Sequence, residues 1–276
     1  MQSELLTGAL GMLLVAKAVL IVFEMHRDGP MPQWLWVAGG VSVTFAATVR
    51  VLRAATGPAA AMGGLVCLHM LLRQKLGVAW DNTAMPALLG LFLLTFAATR
   101  FGRSRKEAMG TAEARKGRRA SQVLANLWVG ALFAASGTAG TLLSRAMLAA
   151  CVAALAEAAA DTIASEMGQA LAETRWGRAT LLITTGRPVA AGTDGGVTIV
   201  GTALGALGAA VVVLLSPFAH AVVPAFCVFG AACGGLVFDS LLGATVERKG
   251  WLGNDLVNLA STVLAAALAF GAVRLL

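Results

Sequence analysis

Long apolar runs separated by short polar segments make up the chain from end to end. Nine such runs fall at roughly 5–23, 34–49, 58–72, 84–99, 122–138, 145–164, 197–215, 222–240 and 256–274. An α-helix needs about 20 predominantly apolar residues to cross a bilayer, and most of these runs approach that length. The third run is short and the fifth opens on polar residues, so the pattern predicts about 7–9 transmembrane helices. Between Asp194 and Asp239 there is no Asp, Glu, Lys or Arg. That stretch has room for two spans joined by a tight turn near Ser216-Pro217. The expected fold is all-α: a polytopic helical membrane protein forming a single integral-membrane domain over residues 1–276.

Composition agrees with this pattern. The 276 residues are 58% hydrophobic and only 13% charged, whereas soluble domains carry about 25% charged residues. The first run has Glu4 but no basic stretch before it, and no small-residue cleavage site follows. It is therefore expected to be a retained helix and not a signal peptide. Cys67, Cys151, Cys227 and Cys233 lie inside apolar runs at spacings that fit no zinc site. His26, His69 and His220 are isolated, which argues against a histidine triad or metal site. Trp34, Trp36, Trp176 and Trp251 sit near span ends, where amphipathic rings anchor at the interface. Gly201/Gly205 and Gly230/Gly234 have the spacing of close helix packing.

Charge predicts an orientation. With nine spans, one set of loops carries 15 basic residues, among them Arg50, Arg53, Arg100, Arg115, Arg118, Arg187 and Lys249, and the other set carries five. The positive-inside rule makes the richer set cytoplasmic. The N-terminus and these loops are then expected on the cytoplasmic side of a cytoplasmic-type membrane. The net charge of +7 comes largely from these loops, so it speaks for topology and not for a nucleic-acid partner.

Four polar segments could carry chemistry. Residues 99–126 hold eight basic residues against Glu107 and Glu113. They fit either a loop touching anionic lipid or an anion clamp built on Arg118, Arg119 and their neighbours. Asn126 then stands at the mouth of an apolar span. In residues 156–168, Glu157, Asp161 and Ser165 follow i, i+4, i+8 spacing and share one helical stripe. Glu166 converges with Asp161 only if the helix breaks near Ala164–Gly168. Carboxylates in a membrane helix must face a cavity or a cation, and without Cys or His they suit Mg²⁺.

The segment "LLITTGRPVAAGTDGGVTIVGT" (181–202) supplies Gly192, Thr193, Asp194, Gly195 and Gly196, with Thr184, Thr185 and Arg187 nearby. It reads either as a capped turn, with Thr193 or Asp194 as N-cap of a span starting at Val197, or as a backbone phosphate cradle. In residues 238–259, Asp239 and Gly243 share a face, as do Asn254 and Asn258, with Asp255 adjacent. Polar packing or a site at two helix ends would each account for them. Soluble phosphotransferase motifs are missing from the sequence.

Taken together, "RKGRRASQVLAN", "ADTIASEMG", the 181–202 segment, "DSLLGATVE" and "WLGNDLVN" resemble the successive signatures of the phytyl-phosphate kinase family of integral membrane proteins. The resemblance covers about residues 95–265; the first 90 residues match only in apolar character. It implies transfer of the terminal phosphoryl group of a nucleoside triphosphate to an isoprenyl monophosphate, as in tocopherol and phylloquinone precursor synthesis. The family is also distantly similar to dolichol kinases and CTP-dependent cytidylyltransferases, which makes CTP a plausible donor. This chain has Ile163 where an aromatic is common and Leu127 where a glycine usually follows the Asn.

The resulting expectation is a cytoplasm-facing prenyl-phosphate kinase using Mg²⁺ and a nucleoside triphosphate, with a lipid phosphate and the membrane as its partners. Asp161, Glu166 and Asp239 are the expected catalytic residues, and these three with Asp194 and Asp255 the expected metal ligands. Arg118, Arg119, Asn126, Thr184, Thr185, Arg187, Gly192, Thr193, Gly195, Gly196, Ser240, Asn254 and Asn258 are expected around phosphate and nucleotide. The rival readings are a cytidylyltransferase of a lipid phosphate and a transporter of a phosphorylated lipid or organic anion.

Overall fold

The computed structural model describes residues 2–27, 29–72, 83–134, 141–172, 174 and 179–276. Trp176, the basic residues Arg73, Lys75, Arg175 and Arg178, and the far end of the fifth apolar run lie outside the described residues. Ten helices are present among those described: α1 (Gln2–Arg27), α2 (Gln33–Val51), α3 (Gly57–Leu71), α4 (Met85–Arg100), the short α5 (Arg103–Ala108), α6 (Ala120–Ala134), α7 (Leu142–Leu171), α8 (Ile199–Leu214), α9 (Val222–Leu242) and α10 (Asn254–Arg274). All but α5 correspond to the nine apolar runs. Five are long and apolar enough to cross a membrane: α1, α2, α7, α9 with its extension to Glu247, and α10. The helices α3, α4, α6 and α8 are apolar but only 15 or 16 residues long.

Helix α7 is the hub. It packs against α4, α6, α8, α9 and α10, and alanines such as Ala149, Ala153, Ala156 and Ala160 are fully buried along it. Small side chains let helix backbones approach closely, and dispersion then replaces the hydrophobic drive that lipid does not provide. The contact with α8 is the closest case. A Cβ on Gly201 would sit 2.5 Å from the Ala164 carbonyl oxygen, and one on Gly205 2.6 Å from that of Ala160. The first glycine pair therefore acts as its spacing suggests. The second does not: Gly230 faces open space, and the tight approach on α9 is made by Gly235, whose Cβ would meet Glu157 Cγ at 2.6 Å. Met12, Val19, Leu20 and Phe23 of α1 and Trp36 and Val43 of α2 project outward, as lipid-facing side chains do. Trp36 and Trp251 are exposed, whereas Trp34 packs against the core.

Two local features depart from the expected turns. Residues 180–197 form a three-stranded antiparallel sheet, β1 (Thr180–Leu182), β2 (Pro188–Val189) and β3 (Gly196–Val197), in the order β2-β1-β3. Helix α8 begins only at Ile199, and its N-cap is Thr198, whose hydroxyl accepts from the Gly201 N–H at 3.0 Å. Neither Thr193 nor Asp194 is the cap, because the chain spends Gly196 and Val197 pairing with β1 before the helix starts. The turn after α8 falls where expected, as a 3-10 turn over Pro217–His220 capped by Ser216.

Candidate functional site

The polar residues of separate segments meet at one end of the α7 hub. The basic loop after α4 is pinned there at several points. Lys106 is fully buried on α5; its ammonium donates to the carbonyls of Ala98 and Thr99 at the end of α4 and pairs with Glu166 of α7. Further along, Arg118 N–H donates to the Ala54 carbonyl and Thr56 N–H to the Arg118 carbonyl, each at 3.0 Å, which ties the loop to the α2–α3 connection. Gly117 makes this possible: its φ is +80° and a Cβ would lie 2.5 Å from the Ala54 carbonyl carbon. Arg103 donates to Glu107 at 3.1 Å and Arg115 approaches Glu107 at 3.3 Å. The hydrogen bond from Arg103, aided by Arg115, holds the exposed Glu107 carboxyl below its ordinary value.

A polar cavity of about 310 Å³ opens beside this loop. Its wall includes Arg118, Asn126, Asp161, Thr162, Ser165 and Glu166, the whole Gly192–Gly196 loop, Asp239, Ser240, Glu247, Asn254 and Asn258. They arrive on several separate elements. Helix α7 contributes Asp161 and Ser165 on one stripe, with Glu157 buried one turn deeper and its Oε1 without a hydrogen-bond partner. Asp239 comes from α9, where Ser261 Oγ of α10 lies 3.1 Å from its Oδ2. Asn258 Nδ2 donates to Asn126 Oδ1 at 3.2 Å, joining α10 to α6, while Asn126 Nδ2 donates to the Gln122 carbonyl. Arg118 Nη2 donates to Thr162 Oγ1 at 3.2 Å.

The glycine loop is seated on the turn that follows α9. Just beyond that helix the backbone makes a π-turn over Gly243–Glu247, an irregularity often found at functional sites. Gly195, at φ +71°, lies against it so closely that a Cβ would sit 2.3 Å from the Ala244 nitrogen. The π-turn also carries Glu247 to the cavity. This residue was not singled out in the sequence, although its i, i+8 relation to Asp239 through Gly243 was the available signal.

Several expected residues stand elsewhere. Thr184, Thr185 and Arg187 are exposed at the tip between β1 and β2 and do not line the cavity. Arg119 is exposed beside it, and Asp255 is buried in the first turn of α10 outside the lining. Helix α7 does not break near Ala164–Gly168 but continues to Leu171. Glu166 accordingly reaches the cavity edge from a different face than Asp161 and is engaged by Lys106.

A second, larger cavity of about 570 Å³ lies between α2, α3, α4 and α6. Its walls are mainly apolar, with Phe45, Val49, Ala59, Gly63, Leu88 and Phe92 among them, and its rim carries Arg53, Arg100, Arg103 and Arg115. The two cavities share Glu113, Arg118, Asn126 and Thr162.

Residues 40–266 match the family described as integral membrane protein DUF92. The match thus reaches well into the N-terminal region that the motifs alone left to apolar character. Among curated relatives, the uncharacterized membrane protein sll0875 of Synechocystis is 36% identical over 201 residues, covering 66% of this chain and 71% of its own. The uncharacterized membrane protein MJ0933 of Methanocaldococcus jannaschii is 35% identical over 178 residues, 64% of this chain and 71% of its own. Protein VTE6, chloroplastic, of Arabidopsis thaliana is 29% identical over 201 residues, 69% of this chain but 59% of the plant protein. No solved structure matches. With most of its length covered, including both cavities' main walls, the chain belongs to the DUF92 family of integral membrane proteins.

Proposed function

We propose that this chain is a Mg²⁺-dependent prenyl-phosphate kinase that transfers the terminal phosphoryl group of a nucleoside triphosphate, CTP favoured, to an isoprenyl monophosphate such as phytyl phosphate. The observation that carries this reading is the single cavity in which Asp161 and Asp239 face Arg118, the Asn126–Asn258 pair and the Gly192–Gly196 loop. The motif resemblance to phytyl-phosphate kinases and the kinship with VTE6 support it.

The cavity wall carries six carboxylates, Glu113, Asp161, Glu166, Asp194, Asp239 and Glu247, against Arg118; only Glu166 has its charge met by the buried Lys106. Such a wall repels a polyphosphate unless a cation intervenes. Among the described residues no group of three or more His, Cys, Asp or Glu side chains could hold a metal ion; Mg²⁺ would need only one or two carboxylates together with substrate phosphates and water. Asp161 and Asp239 would hold it, and bound there it would neutralise charge on the donor phosphates.

Phosphoryl transfer depends on positioning and charge stabilisation more than on covalent chemistry. Arg118, already oriented by Thr162, would clamp the acceptor phosphate, and the backbone of the glycine loop would receive the donor. An oxygen of the acceptor phosphate attacks the terminal phosphorus of the donor. The bond to the bridging oxygen breaks, and the nucleoside diphosphate leaves. The attacking group is already an anion, so no histidine base is needed. The excess of basic residues in the site loops favours the cytoplasmic side, where nucleotides are.

Purified full-length protein incubated with Mg²⁺, each nucleoside triphosphate in turn and phytyl, farnesyl or geranylgeranyl monophosphate tests this directly. Nucleoside diphosphate release with lipid diphosphate formation is expected. Pyrophosphate release would make the protein a cytidylyltransferase. Flux into proteoliposomes without turnover would make it a transporter; either result overturns the kinase.

A further inference from the structure

The arginine-rimmed apolar cavity adjoins the polar one at Arg118, Asn126 and Thr162, but its apolar depth between α2, α3 and α4 lies outside the motifs. It runs along α4 from Arg100 at the rim to Leu88 at depth, 12 residues or about 18 Å at 1.5 Å per residue. That exceeds half of the roughly 30 Å hydrocarbon core. The wall facing inward from α3 is unusually small: Ala55 precedes the helix, and Ala59 and Gly63 follow at successive turns. Aromatic rings complete the wall, with Phe45 and Phe92 meeting edge to face at 5.6 Å between centroids and Phe92 stacking on Phe96 at 5.7 Å. The rim has five arginines against Glu107 and Glu113, with Arg103 and Arg115 paired to Glu107; Arg100 lies over Phe96 at 4.3 Å and donates to the Leu52 carbonyl at 2.7 Å, and Arg118 belongs to both cavities. An apolar bore with a cationic mouth is complementary to an amphiphile with an anionic head. The volume lies within the roughly 300–1,000 Å³ of small-molecule sites.

We infer that this chamber holds the hydrocarbon tail of the acyclic prenyl monophosphate, and that Ala59 and Gly63 on α3 set the chain length accepted. The inference rests on the polar cavity being the site that handles the phosphate. The tail lies inside the protein, between α2, α3, α4 and α6, and its phosphate emerges at Arg118 facing Asp161. Gly63 has room for change without loss of fold: a Cβ there would make only ordinary contact with the Phe45 ring, at 3.6 Å. A larger side chain at that position extends into the bore and shortens it from the deep end.

The test compares wild-type protein and Gly63→Leu in equilibrium binding of geranyl and geranylgeranyl monophosphate without nucleotide. The geranylgeranyl-to-geranyl affinity ratio is expected to fall by about tenfold in the variant, the loss expected when two methylenes of tail burial are displaced. An unchanged ratio overturns the inference. If Gly63→Leu does not fold, wild-type protein is photolabelled with geranylgeranyl monophosphate bearing a diazirine at the tail end. Label on α3 or α4 supports the chamber; label on the outer faces of α1 or α9 overturns it. The kinase is judged separately: a changed ratio without turnover by any nucleotide retains the chamber and removes the kinase, and turnover with an unchanged ratio does the reverse.

Discussion

Asn258 of α10 donates its side-chain amide to Asn126 of α6 at 3.2 Å, a buried bond between residues 132 positions apart. It joins the loop-to-helix signature of the first basic segment to the last signature of the chain, at the wall of the polar cavity. With both amides buried, such a bond fixes the relative rotation of the two helices.

Replacing either residue by Leu should therefore cost stability, and the double replacement should cost less than the sum. The coupling expected from a double-mutant cycle is about 0.6–1.7 kcal/mol, the range for interhelical hydrogen bonds in lipid. Reversible unfolding in mixed micelles measures it. Strict additivity would mean that the two amides do not act as a pair.

Asp161 and Asp239 should be required together. Asp161→Asn and Asp239→Asn are each expected to bring turnover to background while the protein keeps its unfolding midpoint within a few degrees, and chelation of Mg²⁺ should do the same to wild type. Ser261→Ala, which removes the hydroxyl beside Asp239, should lower Mg²⁺ affinity by about 10–100-fold without abolishing activity, as loss of a supporting hydrogen bond does. Near-normal rates in both Asp variants would remove the cation site from this cavity.

Lys106 is fully buried and pairs with Glu166 while holding the end of α4. Lys106→Met leaves a buried carboxylate without its cation, a change that costs about 3–5 kcal/mol. The double variant Lys106→Met, Glu166→Gln should recover much of that loss, because no charge is then stranded. Thermal unfolding of the two variants beside wild type distinguishes a structural strut from a direct role of Glu166. Activity retained in the double variant would take Glu166 out of catalysis.

Gly195 and Gly186 have nearly the same positive φ, +71° and +65°, but different surroundings. A side chain at Gly186 meets nothing within 4 Å, whereas one at Gly195 meets the Ala244 backbone. Gly186→Ala should cost only the left-handed penalty of about 1–2 kcal/mol and leave nucleotide KM unchanged. Gly195→Ala should also unseat the glycine loop from the π-turn and raise nucleotide KM. Equal effects at the two positions would mean that the seating on Ala244 has no function.

Sidedness is open to chemical labelling. Thr185→Cys, at the tip between β1 and β2, should react with an impermeant maleimide only from the cytoplasmic face. His220→Cys, in the 3-10 turn between α8 and α9, should react only from the other face. The reverse pattern would invert the topology drawn from the basic loops.

Much of this molecule is legible in its sequence because the bilayer imposes a one-dimensional rule. A span must be an apolar run of a set length with its backbone bonded internally, so each of the nine runs has its helix, although α7 continues to Leu171 and the end of the fifth run lies outside the described residues. The carboxylates Asp161 and Asp239 were legible for the same reason, since an acid in such a run needs a cavity or a partner. Elsewhere the sequence leaves the outcome to contacts between distant residues. Thr198, and not Asp194, caps α8 because β3 first pairs with β1. Glu166 turns to Lys106, 60 positions away, because α7 does not break. Thr184, Thr185 and Arg187 leave the site because a small sheet projects their turn outward. Glu247, at i, i+8 from Asp239, enters it on the π-turn after α9.

The sequence by itself determined the solvent of this protein, its helix inventory and the residue types of its chemistry, because hydropathy and charge act locally and add along the chain. The tertiary structure alone decided which of those residues share a cavity and that an apolar chamber opens beside it. Both follow from how closely Ala- and Gly-lined helices pack around α7, a property of pairs of surfaces.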